Sequence, residues 1–342
     1  MENSFVNVEG ISFIEFTGSK PGLLVELFNS MGMKLSTHKK DSQITLHQHG
    51  NINFISNPSN TGNVRKFREI HNRGASALGF KVKNSQSAFE QLLKLGAESA
   101  EQVNYDIPAI KGIGHSIVYL VDEDTEATLL QSFDTNSAKQ PLFDNDLCEV
   151  DHLTHNLYSG GIKKQKEFYG KLFGFASLRT FDIEGKKTGL LSEVIASPNG
   201  KVIIPLNETK DNKSQIAEYL EEYNGEGIQH IALRSDNLFN TVENLRTSGV
   251  EFQDTPDSYY ELLDARLPEH GESVAKLKHQ KILVDGGEKQ GGGYLLQIFT
   301  KNSIGPIFFE YIQRKGNEGF GEGNFQALFE SIELDQERRG VI

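Results

Sequence analysis

A single cysteine, Cys148, occurs in 342 residues, so no intrachain disulfide can brace the chain. A small buried thiol is a simpler reading of it than a nucleophile. Long apolar runs are also missing, since none approaches the ~20 residues that a bilayer-crossing helix needs. The opening residues, Met1-Glu2-Asn3-Ser4-Phe5, lack the basic start and apolar stretch of a secretory leader. A reducing cytoplasm is the compartment expected from these absences. Positive charge is scarce, with 35 Lys and Arg against 47 Asp and Glu and a formal net charge of −12. That balance argues against nucleic acid or an anionic membrane as the main partner, while leaving room for an anionic substrate in an enclosed pocket. Hydrophobic residues at 37% and charged residues at 24% are proportions of a folded globular chain, and the length allows two domains.

What is present is a repeat. A shift of 153 positions carries Gly74-Ala75-Ser76-Ala77-Leu78-Gly79-Phe80-Lys81-Val82 onto Gly227-Ile228-Gln229-His230-Ile231-Ala232-Leu233-Arg234-Ser235. The same shift pairs Phe89 with Val242, Leu92 with Leu245, Gly96 with Gly249 and Glu98 with Glu251, without a gap. Each copy reads as a strand, a short amphipathic helix and further strands. Gly96 and Gly249 stand where a helix ends and a left-handed backbone favours glycine. Between the copies, Asp134 to Pro141 is polar and carries a proline, which predicts a linker. Domains are expected at 1–140 and 149–342. The repeat sets His230 against Ala77 and, by extension, His152 against Phe13 and Glu310 against Gln131. Potential ligands then survive only in the C-terminal copy, and the N-terminal copy is structural.

Ile228-Gln229-His230-Ile231-Ala232-Leu233 and Ile307-Phe308-Phe309-Glu310-Tyr311-Ile312 are strand-like and mostly apolar. A carboxylate buried unpaired in such a run costs several kcal/mol or more, so Glu310 needs an arginine, a proton or a metal. His152 and His230 lie in similar contexts, and the spacings of 78 and 80 residues suit adjacent strands of one curved sheet. Two histidines and one carboxylate form the ligand set of non-haem Fe(II) oxygenases. The plainer alternatives are core histidines and a Glu310–Arg314 pair. His155 is three positions from His152 and points to the opposite face of a strand. His47 and His49 share a face and read as a surface pair. Gly286 to Gly293, between two apolar runs, reads as a hairpin loop. Gly319-Phe320-Gly321-Glu322-Gly323 has no leading strand or following lysine, and an internal acid would repel phosphate.

Five segments together resemble the 4-hydroxyphenylpyruvate dioxygenase family. They are Asp151-His152-Leu153-Thr154-His155-Asn156, Asn224 to His230, Leu295-Leu296-Gln297-Ile298-Phe299, Phe308 to Arg314 and Gly319 to Phe325. The resemblance runs from about Glu149 to Ile342. It implies the vicinal-oxygen-chelate fold, of class α+β, with two tandem domains of paired βαβββ modules. The C-terminal domain would be an open barrel around the metal, closed by a C-terminal helix. One Fe(II) per subunit is implied, held by His152, His230 and Glu310. Gln229, Gln297, Phe299, Asn324 and Phe325 take catalytic positions, and Ser192, Pro205, Asn207, Gln215, Phe308, Phe320 and Leu328 line the substrate pocket. The implied reaction turns 4-hydroxyphenylpyruvate and dioxygen into homogentisate and carbon dioxide in tyrosine catabolism, in a homodimer or homotetramer.

Three rivals share the fold or the ligand set. A hydroxymandelate synthase would hydroxylate the benzylic carbon, although such enzymes tend to carry a smaller aliphatic residue in place of Phe325. An extradiol dioxygenase would act on a catechol. A non-catalytic binding protein is disfavoured by the intact His152, His230 and Glu310. Phe325, Leu328, Phe329 and Ile332 recur at i, i+3, i+4 and i+7, which predicts an amphipathic helix over Asn324 to Arg338. That helix is expected to act as a lid over the iron, hinged at Phe320 to Gly323.

Overall fold

A computed structural model describes residues 4–143, 146–184, 189–210 and 214–338, with a few side chains in these ranges, Phe325 among them, outside the description. Among the described residues, sixteen strands form two eight-stranded sheets. The first contains β1 (Gly10–Gly18), β2 (Lys34–His38), β3 (Thr45–His49), β4 (Ile52–Ser56), β5 (Arg73–Lys81), β6 (Ala109–Lys111), β7 (Ile117–Val121) and β8 (Phe133–Lys139), in the order β6-β7-β5-β1-β4-β3-β2-β8. The second contains β9 (Leu147–Leu157), β10 (Ala176–Glu184), β11 (Gly189–Ala196), β12 (Ile203–Thr209), β13 (Gly227–Ser235), β14 (Leu283–Gly286), β15 (Tyr294–Phe299) and β16 (Phe308–Lys315). Its order is β10-β11-β12-β9-β13-β16-β15-β14. Helices α1 (Pro21–Ser30), α2 (Gly62–His71), α3 (Ser85–Lys94) and α4 (Glu123–Gln131) belong to the first half of the chain. Helices α5 (Gly161–Phe173), α6 (Gln215–Tyr223), α7 (Leu238–Thr247), α8 (Asp257–Glu261), α9 (Leu263–Arg266), α10 (Val274–Gln280) and α11 (Glu322–Arg338) follow.

The two strand orders are the same pattern read in opposite directions. β1, β4, β3 and β2 correspond to β9, β12, β11 and β10, while β5, β7 and β6 correspond to β13, β16 and β15. The class is α+β with paired βαβββ modules, and the second sheet curls into a half-barrel. The chain forms two compact units, Met1–Leu142, Val150–Ile231 and Asn302–Phe308 in one and Phe143–Glu149, Ala232–Lys301 and Phe309–Ile342 in the other.

The 153-residue shift holds in local detail. Helices α3 and α7 begin and end at positions 153 apart, each opened by an asparagine whose side chain accepts an amide N–H in the first turn. Gly96 (φ 92°) and Gly249 (φ 93°) follow the two helices in the left-handed region. The next residues, Ala97 and Val250, donate back to the Leu92 and Leu245 carbonyls.

Three expectations need correction. Asp134 to Lys139 is not a linker but most of edge strand β8, whose Asp134 and Lys139 pair with Thr37 and Leu35 of β2. Polar sequence is compatible with an edge strand, whose outer side faces water. Gln131 ends helix α4 and is not the counterpart of Glu310. The strand in the place of β16 is β7, whose third residue is Tyr119, as Glu310 is the third of β16. The constant shift breaks down there because α8, α9 and α10 lengthen the second copy. Phe13, Ala77 and Tyr119 share one buried apolar cluster, so the corresponding corner of the first sheet is filled with hydrocarbon. Finally, His47 is fully buried on the side of β3 that meets α1, with its ring against Phe28 at 5.0 Å. Burial pushes its pKa down to about 3.

Candidate metal centre

In β9, His152, Thr154 and Asn156 alternate with Leu153, His155 and Leu157, so the first three share a face. His152 is 3% exposed, and its Nδ1 lies 2.8 Å from Asp151 Oδ1. In β13, His230 Nδ1 lies 2.6 Å from Gln229 Oε1. A carboxylate and an amide oxygen accept only, so both Nδ1 atoms carry the proton and both Nε2 atoms present a lone pair. The Thr154 hydroxyl lies 2.9 Å from His230 Nε2. The His230 ring stacks on Phe308 at 4.9 Å and 18°.

Glu310 sits in β16, opposite Phe299 of β15, and is 3% exposed. Its Oε1 accepts from Gln297 Nε2 at 2.8 Å. Arg314, the other candidate partner, donates to the Asn317 and Gly319 carbonyls. His152, His230 and Glu310 each offer a ligand atom, and these atoms all lie within 4.8 Å of one another. A divalent cation shared with two imidazole lone pairs would offset the charge of a carboxylate buried there. The residues present fit such a cation. No second group of this kind occurs among the described residues.

The other expected site residues lie in several places. Gln297 and Asn324, 1% and 2% exposed, continue the hydrogen bonding from Glu310, with Asn324 Nδ2 donating to Gln297 Oε1 at 2.5 Å. Ser192, Asn207 and Asn156 form one row across β11, β12 and β9, and the buried Pro205 lies along β12 opposite Val194. Phe320 is half-buried with the Arg314 guanidinium 5.6 Å from its ring centre, and Leu328 is half-buried in α11. Gln215, at the first position of α6, is exposed. The side chain of Phe325 lies outside the described residues, as do those of Phe329 and Ile332.

Sequence reasoning missed several participants. Asp151 had a signal, an acid directly before a candidate ligand. Asn156 is fully buried, and neither its amide nitrogen nor its oxygen has a hydrogen-bond partner among the described residues. Its β9 neighbour His155 is equally buried, packs 6.0 Å from the Tyr169 ring, and has its pKa pushed down to about 3. It takes no part in the trio. Gly321 (φ 78°) passes so close to Gln297 that a Cβ there would collide with its amide, which accounts for one glycine of the 319–323 segment.

A family model described as hydroxyphenylpyruvate dioxygenase, N-terminal, matches residues 2–137. A second, described as the glyoxalase/bleomycin resistance protein/dioxygenase superfamily, matches residues 149–263. A curated relative, the 4-hydroxyphenylpyruvate dioxygenase of Legionella pneumophila (strain Corby), is 47% identical over 99% of this chain and 98% of its own length. The chain belongs to the 4-hydroxyphenylpyruvate dioxygenase family. It is therefore a dioxygenase of the vicinal-oxygen-chelate type.

Two solved structures are similar in fold. One is a fusion of a xylose isomerase-like TIM barrel with a 4-hydroxyphenylpyruvate dioxygenase, with a TM-score of 0.81 and 26% identity over 96% of this chain and 53% of that one. This chain thus spans about half of the fusion's length. The other is a triple mutant of the 4-hydroxymandelate synthase of Streptomyces coelicolor, with a TM-score of 0.77 and 24% identity over 96% of this chain and 99% of that one. No helix among the described residues is long and apolar enough to cross a membrane.

Proposed function

We propose that this chain binds one Fe(II) per subunit through His152, His230 and Glu310 and converts 4-hydroxyphenylpyruvate and dioxygen to homogentisate and carbon dioxide, a step of tyrosine catabolism. The observation that carries this reading is the convergence of two imidazoles and one carboxylate in a chain so close to a named dioxygenase. Fe(II) held by such a ligand set would supply the redox capacity that dioxygen chemistry requires. The protein's part is to bind, orient and keep water out. Asp151 and Gln229 hold the imidazoles in the ligating tautomer, and Phe308 restrains the His230 ring by stacking. Gln297 holds one oxygen of Glu310. Ser192 and Asn207 offer uncharged polar groups that suit a phenol, which they can bond without titrating. Phe299, opposite Glu310 in the strand pairing, gives the aromatic ring an apolar neighbour.

Phe320, Asn324, Phe325 and Leu328 belong to the segment that covers the substrate in this reading, Pro205 walls it, and Gln215 is at most a rim residue. The equivalence of the two sheets supports tandem domains at 1–140 and 149–342. A cytoplasmic homodimer or homotetramer completes the proposal. The deciding experiment is oxygen uptake with 4-hydroxyphenylpyruvate, with and without added Fe(II), followed by chromatography of the product. Metal-dependent uptake with homogentisate as product is expected. 4-Hydroxymandelate would place the chain with the synthases, and no uptake at all would leave a binding protein. A His230→Ala variant with full activity would overturn the assignment of the metal centre.

A further inference from the structure

The hydrogen bonds that reach Glu310 do not end at Gln297 and Asn324. Asn324 Oδ1 accepts from the Tyr259 hydroxyl at 2.6 Å and from Arg266 Nη2 at 3.3 Å. The Tyr259 oxygen itself receives Arg266 Nη2 at 2.8 Å and the Val284 amide N–H at 2.9 Å. Tyr259, Gln297, Asn324 and Glu310 are each at most 3% exposed. The series therefore runs through the interior, from a guanidinium at one end to a candidate metal ligand at the other.

Its direction is decided at the Arg266 end. A guanidinium only donates. Two donors on the Tyr259 oxygen occupy its lone pairs, so its own proton must go to an acceptor, and Asn324 Oδ1 is the nearer one. Burial raises the Tyr259 pKa to about 12, which keeps that proton in place at neutral pH. With Oδ1 accepting, Asn324 must turn Nδ2 toward Gln297. Gln297 must then accept with Oε1 and donate with Nε2, which commits Glu310 Oε1 as an acceptor. Reversing either amide would set like groups against each other in a buried place. Neither Tyr259 nor Arg266 is a member of the metal trio. Asn324 lies in the first turn of α11, where the preceding Gly323 N–H donates to Asp285 at 2.8 Å. The seating of that helix and the setting of the carboxylate thus share one hydrogen-bonded series.

We propose that Arg266 and Tyr259 are positioning residues that fix, through Asn324 and Gln297, the direction in which Glu310 presents its carboxylate to the metal. The proposal rests on the reading of His152, His230 and Glu310 as a metal centre. It is tested on the full chain with Co(II) as the probe, because its visible absorption reports ligand geometry independently of turnover. Tyr259→Phe removes only the hydroxyl, Arg266→Met removes the donors, and Arg266→Lys restores a donor-only cation. Loss of a support behind a metal ligand typically weakens affinity about 10- to 100-fold. The same range of weakening is expected for Tyr259→Phe and Arg266→Met, with an altered Co(II) spectrum and partial recovery in Arg266→Lys.

Variants that melt at lower temperature yet bind Co(II) with unchanged affinity and spectrum would show a purely structural role and overturn the proposal. If Arg266→Met does not fold, Tyr259→Phe decides. Asn324→Asp then serves as the second variant, since it sets an acceptor against Gln297 Oε1 and should shift the spectrum in the same way. Failure of the underlying reading looks different: His230→Ala would bind Co(II) as tightly as the unmodified chain.

Discussion

Replacing Gly321 by alanine should disturb the candidate metal centre through a residue outside the trio. Gly321 holds φ 78°, where an L side chain costs about 1–2 kcal/mol. The added Cβ would also collide with the amide of Gln297. That amide is not a flexible chain end, since it is 1% exposed and bonded on one side to Glu310 and on the other to Asn324. If it yields, Glu310 Oε1 and Asn324 Nδ2 each lose a buried partner, at about 1–3 kcal/mol apiece. The sum is roughly 3–8 kcal/mol, nearer the lower end if the loop gives way instead.

At roughly 1.4 °C per kcal/mol for a chain of 342 residues, Tm should fall by at least roughly 4 °C. Gly200→Ala is the control, because Gly200 holds φ 69° with no atom within 4 Å of a built Cβ. It should cost only the backbone part, about 1–2 kcal/mol. Calorimetric melts and Co(II) titrations of the two variants separate the effects. If Gly321→Ala melts and binds Co(II) as Gly200→Ala does, close approach to Gln297 is not why glycine stands there.

Three other outcomes follow from the same geometry. Asp151→Leu removes the acceptor for His152 Nδ1 and should weaken Co(II) binding about 10- to 100-fold by titration, so unchanged affinity would count against a role in orienting the ring. His155, with a folded pKa near 3 against 6.5 for an ordinary histidine, binds fewer protons folded than unfolded between those values. It therefore contributes stability above pH 6.5 that is lost as pH falls toward 3, up to about 4 kcal/mol. His155→Phe should flatten that part of the pH–stability curve in urea titrations, and an unaltered slope would show that His155 is not its source. Deleting residues 320–342 removes α11 with Asn324 and should abolish coupled turnover, whereas intact product formation would end the idea of a lid.

The duplicated unit could be read from residues alone because strand, helix cap and terminal glycine are local devices, and both copies retain them 153 positions apart. His152, His230 and Glu310 stood out for a similar reason: a titratable group in an apolar strand is costly without a partner. Local signals misled where the neighbours were remote. The polar residues of β8 looked like a linker because a single-residue pattern does not show that β2 offers an edge to pair with. Gln131 appeared to match Glu310 because sequence spacing cannot reveal that the inserted helices α8 to α10 displace the second copy's last strand. His47 looked exposed because its spacing with His49 says they share a face but not that α1 covers it.

The sequence by itself therefore determined the duplication, the placement of ligand residue types in one half, and the resemblance to a dioxygenase family. Only the tertiary structure decided how those residues are held. Asp151 and Gln229 lie against the histidine Nδ1 atoms, and a buried hydrogen-bonded series from Arg266 to Gln297 ends on the Glu310 carboxylate. Hydrogen-bond direction depends on which donors and acceptors meet in space, and Arg266, Tyr259, Asn324 and Gln297 meet only after β15, α8, α9 and α11 have packed together.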